Sequence, residues 1–388
     1  MNICFITSSE VAPNIGGTER ITSSISQALS KKYGIKCYSI FSEEQKGDLT
    51  LFEGKLKVEN FTKDEDRIVK FIEDNHISVL INQGNNGLYS LFNSLKKKIS
   101  NCKLVFVYHF EPGWGKHTSF KVSYLNWKNN PTMRGVIRLA LFPVWSIKMK
   151  MSFEKSFRMS YINSDRFVLL SESFKKQFIN FAKLKNGDKL VAIPNCLSFD
   201  DFLPESAIQD KTKTVLVVSR MREYQKRISL VLKIWKEIEK DDALKDWKLK
   251  IIGDGYDLKD YQRYAKKHLQ RVEFLGILNP EDYYKSSSLF MLTSRSEGWG
   301  LTLTEAQQNG CVPIAFDSYS SLHDIITDGY NGCIIPNNDI PQYVKSLKNL
   351  MLDDNKRCSL AGNAILSSHR FEKDKVAEIW YQLFKDLL

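Results

Sequence analysis

The feature that most limits what this chain can fold into is a sustained alternation of short apolar runs with amphipathic stretches. "NICFIT", "KCYSIF", "SVLINQ", "LVFVYHF" and "RFVLLS" occupy the first half, and "TVLVVS", "KLKIIGD", "VEFLG", "LFMLTS" and "VPIAF" the second. Each is rich in β-branched and aromatic residues, the signature of strands buried on both faces. Between them, "ERITSSISQALSKK" (19–32), "ISLVLKIWKEIEK" (228–240) and "DLKDYQRYAKKHL" (257–269) space their apolar residues as helices do. Strands alternating with helices build βαβ units and parallel sheets, so the fold class is α/β. The runs fall on either side of a turn-rich, proline-containing stretch, "VAIPNCLSFDDFLPE" (191–205), where a strand ends near Pro194-Asn195. This predicts two doubly wound, Rossmann-like domains, residues 1–195 and 196–370. The amphipathic tail, 371–388, is expected to lie outside the second domain's core. With 388 residues, 43% of them apolar, the chain has material for two cores.

Other classes drop out on composition. The seven cysteines, at 4, 37, 102, 196, 311, 333 and 358, are scattered and form no CxxC pair. Neither a disulfide framework nor a zinc site follows from that pattern, and a reducing, cytoplasmic setting fits it. The N-terminal "MNICFITSSEVAP" lacks a basic region ahead of its short apolar run and reads as a first strand. The longest apolar stretch, "LALFPVWSI" (139–147) between Arg138 and Lys148, is far too short to span a bilayer.

The net charge of +11 is unevenly placed. Residues 1–190 hold 29 Lys and Arg against 17 Asp and Glu, whereas the remainder holds 27 against 28. Residues 116–160 alone carry nine basic side chains and one acidic, Glu154. Interleaved with them are Phe120, Tyr124, Trp127, Phe142, Trp145, Phe153 and Phe157. Cations among aromatics suit an anionic membrane surface, with peripheral attachment at the inner face of the cell membrane, or an anionic acceptor. A merely solvated face remains open, and a nucleic-acid partner is not expected.

In open parallel sheets, ligands bind beyond the carboxyl ends of strands, so the residues after each run are the candidates for chemistry. "GGTER" lacks dinucleotide-fingerprint spacing, and neither a GxxxxGK[ST] loop nor a GxSxG elbow occurs. Asp64, Glu65 and Asp66 open a polar helix, where acidic first-turn residues are ordinary; the six histidines show no ligand spacing, and no metal is expected. The stretch "SEGWGLTLTEAQQNG" (296–310) is different. "TLTE" (302–305) has the form of a capping box, predicting a helix that starts at about Thr302 and ends at Asn309-Gly310. Glu305 then sits near the first turn and Glu297 in the glycine-rich loop before it. The N–H groups of such a helix start form an anion site. Arg220 and Lys226 follow "TVLVVS" in a loop that supplies two cations for a diphosphate, with Arg222 and Arg227 as possible substitutes. Two carboxylates for hydroxyls, plus cations and a helix start for phosphates, are what a nucleoside diphosphate sugar requires.

These segments resemble the retaining glycosyltransferases of family 4, which have the two-domain GT-B fold with a central cleft. "SRSEGWGLTLTEAQQNGCVPIA" is similar to that family's E-x7-E region, "VLVVSRMREYQKR" to its Arg…Lys segment and "IIGDGYD" to its Gly-Asp-Gly turn. "VEFLG" is similar to the strand before its base-contacting loop, "IPN" (193–195) to its interdomain joint and "NIGGTER" to its N-terminal glycine loop. The terminal "KVAEIWYQLF" is similar to the helix that crosses back onto the first domain. The likeness runs along the whole chain and is strongest over 191–340. It implies that Glu297 contacts the donor sugar and Glu305 the ribose. The amides around Leu301 and Thr302 would hold the diphosphate with Arg220 and Lys226, and Ile277 would meet the base through its backbone. Gly16 and Gly17 would let the first-domain loop approach phosphate and acceptor, and His109 would lie near the transferred sugar. Departures are Arg227, where the family often has glycine, one extra residue between Arg220 and Lys226, and Trp299 for phenylalanine, which is expected to pack under the loop.

The implied activity is retaining, metal-independent transfer of a hexose from a UDP-sugar, with no cofactor, to a glycan or lipid-linked glycan in cell-surface polysaccharide synthesis. A GT-B nucleotide-sugar epimerase or a non-catalytic GT-B partner subunit are the alternatives.

Overall fold

Each apolar run extends as a strand because its side chains can be buried on both faces only when helices cover the sheet. The computed structural model describes residues 1–12, 16–45, 51–113, 120, 123, 124, 127 and 131–388, which divide into two units.

The first unit is Met1–Cys196 together with Lys373–Leu388. Its strands are β1 (Asn2–Ile6), β2 (Lys36–Phe41), β3 (Gly54–Lys57), β4 (Ile77–Gln83), β5 (Lys103–Tyr108), β6 (Arg166–Leu169) and β7 (Leu190–Ala192). They form one sheet in the order β3-β2-β1-β4-β5-β6-β7. Every pair is parallel; Cys4, for example, lies opposite Tyr38 of β2 and Leu80 of β4. The C-terminal helix, Lys373–Leu387, buries Val376, Ala377, Trp380 and Phe384 and packs along helix Gly17–Tyr33. Tyr33 and Tyr381 stack there with ring centroids 4.0 Å apart.

The second unit is Leu197–Glu372. It holds β8 (Thr212–Val218), β9 (Lys248–Ile252), β10 (Val272–Gly276), β11 (Ser287–Leu292), β12 (Val312–Asp317) and β13 (Cys333–Pro336), in the order β10-β9-β8-β11-β12-β13. These pairs are also all parallel. One face of this sheet packs Val215, Leu249, Leu289 and Ile314 against Val231, Trp235, Tyr343 and Leu347 of the covering helices. The strand order reverses between β8 and β11. The chain therefore proceeds from their carboxyl ends in opposite directions along the sheet, which makes this the topological switch point at which such sheets bind ligands. Both "SRMREYQKR" and "SEGWG" leave the sheet at this place.

No helix among the described residues is long and apolar enough to cross a membrane.

Candidate active site

Arg220 and Lys226 come from the chain leaving β8, and Glu297 from the chain leaving β11. A backbone bond and a side-chain bond lace the two segments together. Arg295 N–H donates to Gln225 O at 2.7 Å, and Thr293 Oγ1–H bonds Lys226 O at 2.9 Å. The result brings two of the predicted residues into contact: Lys226 Nζ forms an ion pair with Glu297 Oε1. Their side chains are only 17% and 11% exposed, so water screens the pair weakly.

Arg227 has another task. It adopts a left-handed conformation, φ 51°, which explains why glycine is at ease at this position. Its buried guanidinium donates to Ser294 O at 2.9 Å and to the side-chain carbonyls of Asn337 and Asn338 at 2.9 and 2.7 Å. Its Nε–H bonds Thr293 O, and the cation lies over the Phe316 ring. Burial pushes its pKa down to about 10, which still leaves it charged at neutral pH. Arg227 clamps the ends of β11 and β13; sequence alone leaves it open as a phosphate cation. Arg222 instead lies over exposed Tyr256. Arg220 is exposed, with no ion pair among the described residues.

The Gly-Asp-Gly turn shapes the neighbouring wall. Met221 N–H donates to Asp254 O at 2.8 Å and Asp257 N–H to Met221 O at 3.1 Å, which draws the turn onto the loop after β8. At Gly253, φ is 128° and a Cβ would lie 1.9 Å from Ser219 O, so only glycine fits. Gly253 N–H also bonds Gly276 O at 2.7 Å, which sets the next loop beside this turn. There Ile277 stands 82% exposed, its backbone at the sheet's carboxyl edge.

The helix after the Glu297 loop corrects one expectation. It spans Leu301–Gln308, and its N-cap is Gly300 in a left-handed conformation, φ 104°, with no side-chain cap. Thr302 is therefore inside the helix, and "TLTE" does not act as a capping box. Leu303 N–H makes the first backbone bond, to Gly300 O at 2.8 Å; the N–H groups of Leu301 and Thr302 precede it at the positive end of the helix. The predicted end holds, with Asn309 as C-cap and Gly310 left-handed. Trp299 packs under the loop as expected, buried edge-on against Phe371 at 5.2 Å. Glu305 is a second-turn residue, buried, and its carboxylate accepts from Ser198 Oγ at 2.6 Å and from Tyr284 Oη at 3.0 Å. Sequence reasoning misses both hydroxyl partners, since neither carries a motif.

In the first unit, Gly16 is the extended N-cap of helix Gly17–Tyr33, so Gly16 and Gly17 stand at a helix start; residues 13–15 of the predicted glycine loop lie outside the described residues. His109 follows β5, and its Nε2–H donates to Gln83 Oε1 at 2.6 Å. Burial pushes its pKa down to about 4, so it is neutral at pH 7. Phe5, Ile21, Ile25 and Trp380 line the small cavity beside it. The acidic run at 64–66 is engaged locally: Asp64 accepts from the Glu59 and Asn60 amides, and Lys98 bridges Glu65 and Asp66 at 2.7 and 3.0 Å.

Of the basic, aromatic segment, Lys116, Lys121 and Lys128 lie outside the described residues. Its later part forms helices Met133–Ala140 and Phe142–Asn163. Met133, Val136 and Ile137 on the first, and Val144, Ile147 and Met151 on the second, are 43–77% exposed. Phe157 is an exception to the expected surface role, because it is buried against Tyr108 and Phe178. Glu154 is also buried, paired with Lys183 at 2.6 Å.

Comparison with known proteins fits this arrangement. Residues 198–367 match the profile of the family described as Glycosyl transferases group 1. An uncharacterised glycosyltransferase of Haemophilus influenzae is 26% identical over 381 residues, covering 94% of this chain and 95% of its own length. The GalNAc-alpha-(1->4)-GalNAc-alpha-(1->3)-diNAcBac-PP-undecaprenol alpha-1,4-N-acetyl-D-galactosaminyltransferase of Campylobacter jejuni is 26% identical over 232 residues, 59% of this chain and 62% of its own. Among solved structures, Anabaena Alr3699/HepE in complex with UDP-glucose superposes with a TM-score of 0.73 at 14% identity, covering all of both chains. The two parallel-sheet units are thus those of a GT-B fold, residues 198–367 are a glycosyltransferase group 1 domain, and the chain is an enzyme of the transferase class.

Proposed function

We propose that the enzyme transfers a hexose from UDP to a glycan or lipid-linked glycan, with retention of anomeric configuration and without a metal. The observation that carries this reading is the meeting of Lys226 and Glu297 at the β8/β11 switch point, beside the N-terminus of helix Leu301–Gln308. Arg220, Lys226 and the Leu301 and Thr302 amides supply positive charge for a diphosphate, the work a divalent ion would otherwise do. Glu297 receives sugar hydroxyls. Glu305 holds the ribose, its carboxylate oriented by the Ser198 and Tyr284 hydroxyls. The Ile277 backbone meets the base, and Gly16, Gly17 and neutral His109 serve the sugar and acceptor. Retention rests on the likeness to family 4.

A uridine donor is supported by the UDP-glucose in the Anabaena neighbour, and a lipid-linked acceptor by the undecaprenol-linked name of the Campylobacter relative. The exposed apolar side chains of 133–151, among basic ones, support attachment to the cytoplasmic face of an anionic membrane.

The test is UDP release from a panel of UDP-sugars with glycan and lipid-linked acceptors, with and without EDTA. Release should require acceptor, persist in EDTA and fall at least about 100-fold in Glu297→Gln and Lys226→Ala, the scale of losing one transition-state contact. Unchanged transfer in both variants would show the site assignment to be wrong. Acceptor-independent conversion of the donor would identify an epimerase instead.

A further inference from the structure

Lys226 and Glu297 occupy each other. As donor-site residues, Lys226 belongs on the diphosphate and Glu297 on the sugar, yet here each is the other's counterion. One backbone and two side-chain hydrogen bonds hold the two segments side by side. Arg295 N–H to Gln225 O, Gln225 Nε2–H to Ser296 O and Thr293 Oγ1–H to Lys226 O tie the two segments on both sides of the pair. Arg227, anchored to Thr293, Ser294, Asn337 and Asn338, holds the next residue in place. These bonds fix the two segments, so a lysine side chain that turns to phosphate leaves Glu297 where it is.

Building on the donor-site reading, we propose that Glu297 makes the site discriminate between a nucleoside diphosphate sugar and the bare nucleoside diphosphate. Any diphosphate that recruits Lys226 takes the counterion from a carboxylate that is 11% exposed. A shielded charge left without its partner is strongly unfavourable. A donor carries the remedy, because its sugar hydroxyls donate hydrogen bonds to Glu297 as its phosphates take Lys226. A bare nucleoside diphosphate has no group there, and its terminal phosphate brings more negative charge toward the carboxylate. After transfer the sugar has left, the lysine returns to Glu297, and the nucleotide is expelled. Glu297 thus opposes the product while holding the donor.

Isothermal titration of the full chain with UDP, GDP and ADP tests this at low salt. The nucleotide that wild type binds best should bind about tenfold more tightly to both Glu297→Gln and Glu297→Ala, because Lys226 is then free for phosphate at no cost to a neighbour. The neutral amide and the truncation together separate charge from any new contact, and thermal denaturation verifies that both are folded. Equal or weaker affinity in both variants overturns the inference. Arg220→Ala and Lys226→Met report on the underlying site and should each weaken nucleotide binding. If neither does, or if wild type binds none of the three nucleotides, the donor-site reading itself fails and the discrimination by Glu297 falls with it.

Discussion

At the scale of single residues, the positions with most chemical consequence are those whose environment fixes their protonation or pairing. His109 illustrates this. Burial lowers its pKa from 6.5 to about 4, so between these values the unfolded chain takes up a proton that the folded imidazole refuses. Its contribution to stability is complete above pH 6.5 and is lost as pH falls through the folded value near 4, a change of about 3 kcal/mol. Urea denaturation should therefore show the wild type losing more stability than His109→Gln between pH 7 and pH 4.5. Parallel losses in the two proteins would mean that the ring is not shielded as described. The sequence marks His109 as the end of a strand at a carboxyl edge, but cannot reveal Gln83 as its partner. The same limit applies to the glutamates. Glu297 and Lys226 are both legible as charged residues after strands, yet their contact joins positions 71 apart and depends on the β8/β11 adjacency. The "TLTE" pattern misleads because a capping box presumes an ordinary N-cap. Gly300, free to turn left-handed, starts the helix earlier and moves Glu305 into the core.

At the scale of elements, strand runs are readable where both faces are buried, since continuous apolar character is then required. Two strands escape, β3 ("GKLK") and β13 ("CIIP"), and both lie at sheet edges. An edge strand has one partner and less burial, so its composition is less constrained. Turns are readable through glycine, and the loop after β9 shows what such a glycine is for. Gly253 holds φ 128° while the Ser219 carbonyl passes where a side chain would be. Gly253→Ala cannot be accommodated without moving that backbone, and Ser219 leads directly into Arg220. The variant should lose about 3 kcal/mol or more of stability, on the scale of compound backbone strain and overpacking, and should bind nucleotide less well even where it stays folded. Calorimetric melting with and without UDP would measure both; a variant with wild-type melting and an undiminished UDP shift would show that the turn can adapt.

At the scale of the whole molecule, charge and exposed apolar surface coincide in one part of the chain. The first 190 residues carry the entire basic excess, and within them helices Met133–Ala140 and Phe142–Asn163 leave eight large apolar side chains open along their length. Neither feature alone separates a membrane from an acidic glycan or from an ordinary solvated face. The proposed membrane attachment rests on the two together, because a row of exposed Met133, Ile137, Val144, Ile147 and Met151 gains more from acyl chains than from a hydrated glycan. On that proposal a bilayer interface would accept these side chains among its acyl chains, while Arg134, Arg138, Lys148 and Lys150 would meet anionic headgroups. The two contributions respond differently to salt, since Coulomb attraction is screened over about 8 Å at physiological ionic strength and apolar insertion is not. Cosedimentation with phosphatidylglycerol-containing vesicles should therefore fall with salt but level off above the amount that sediments without vesicles. Replacing Ile137, Val144, Ile147 and Met151 by serine should remove the salt-resistant part and leave the melting temperature nearly unchanged, because these side chains are already 55–62% exposed. Replacing Arg134, Arg138, Lys148 and Lys150 by glutamine should remove the salt-sensitive part. Wild-type protein that ignores phosphatidylglycerol vesicles at low salt, or a serine variant that binds them as the wild type does, would rule out insertion and return this surface to the acceptor glycan.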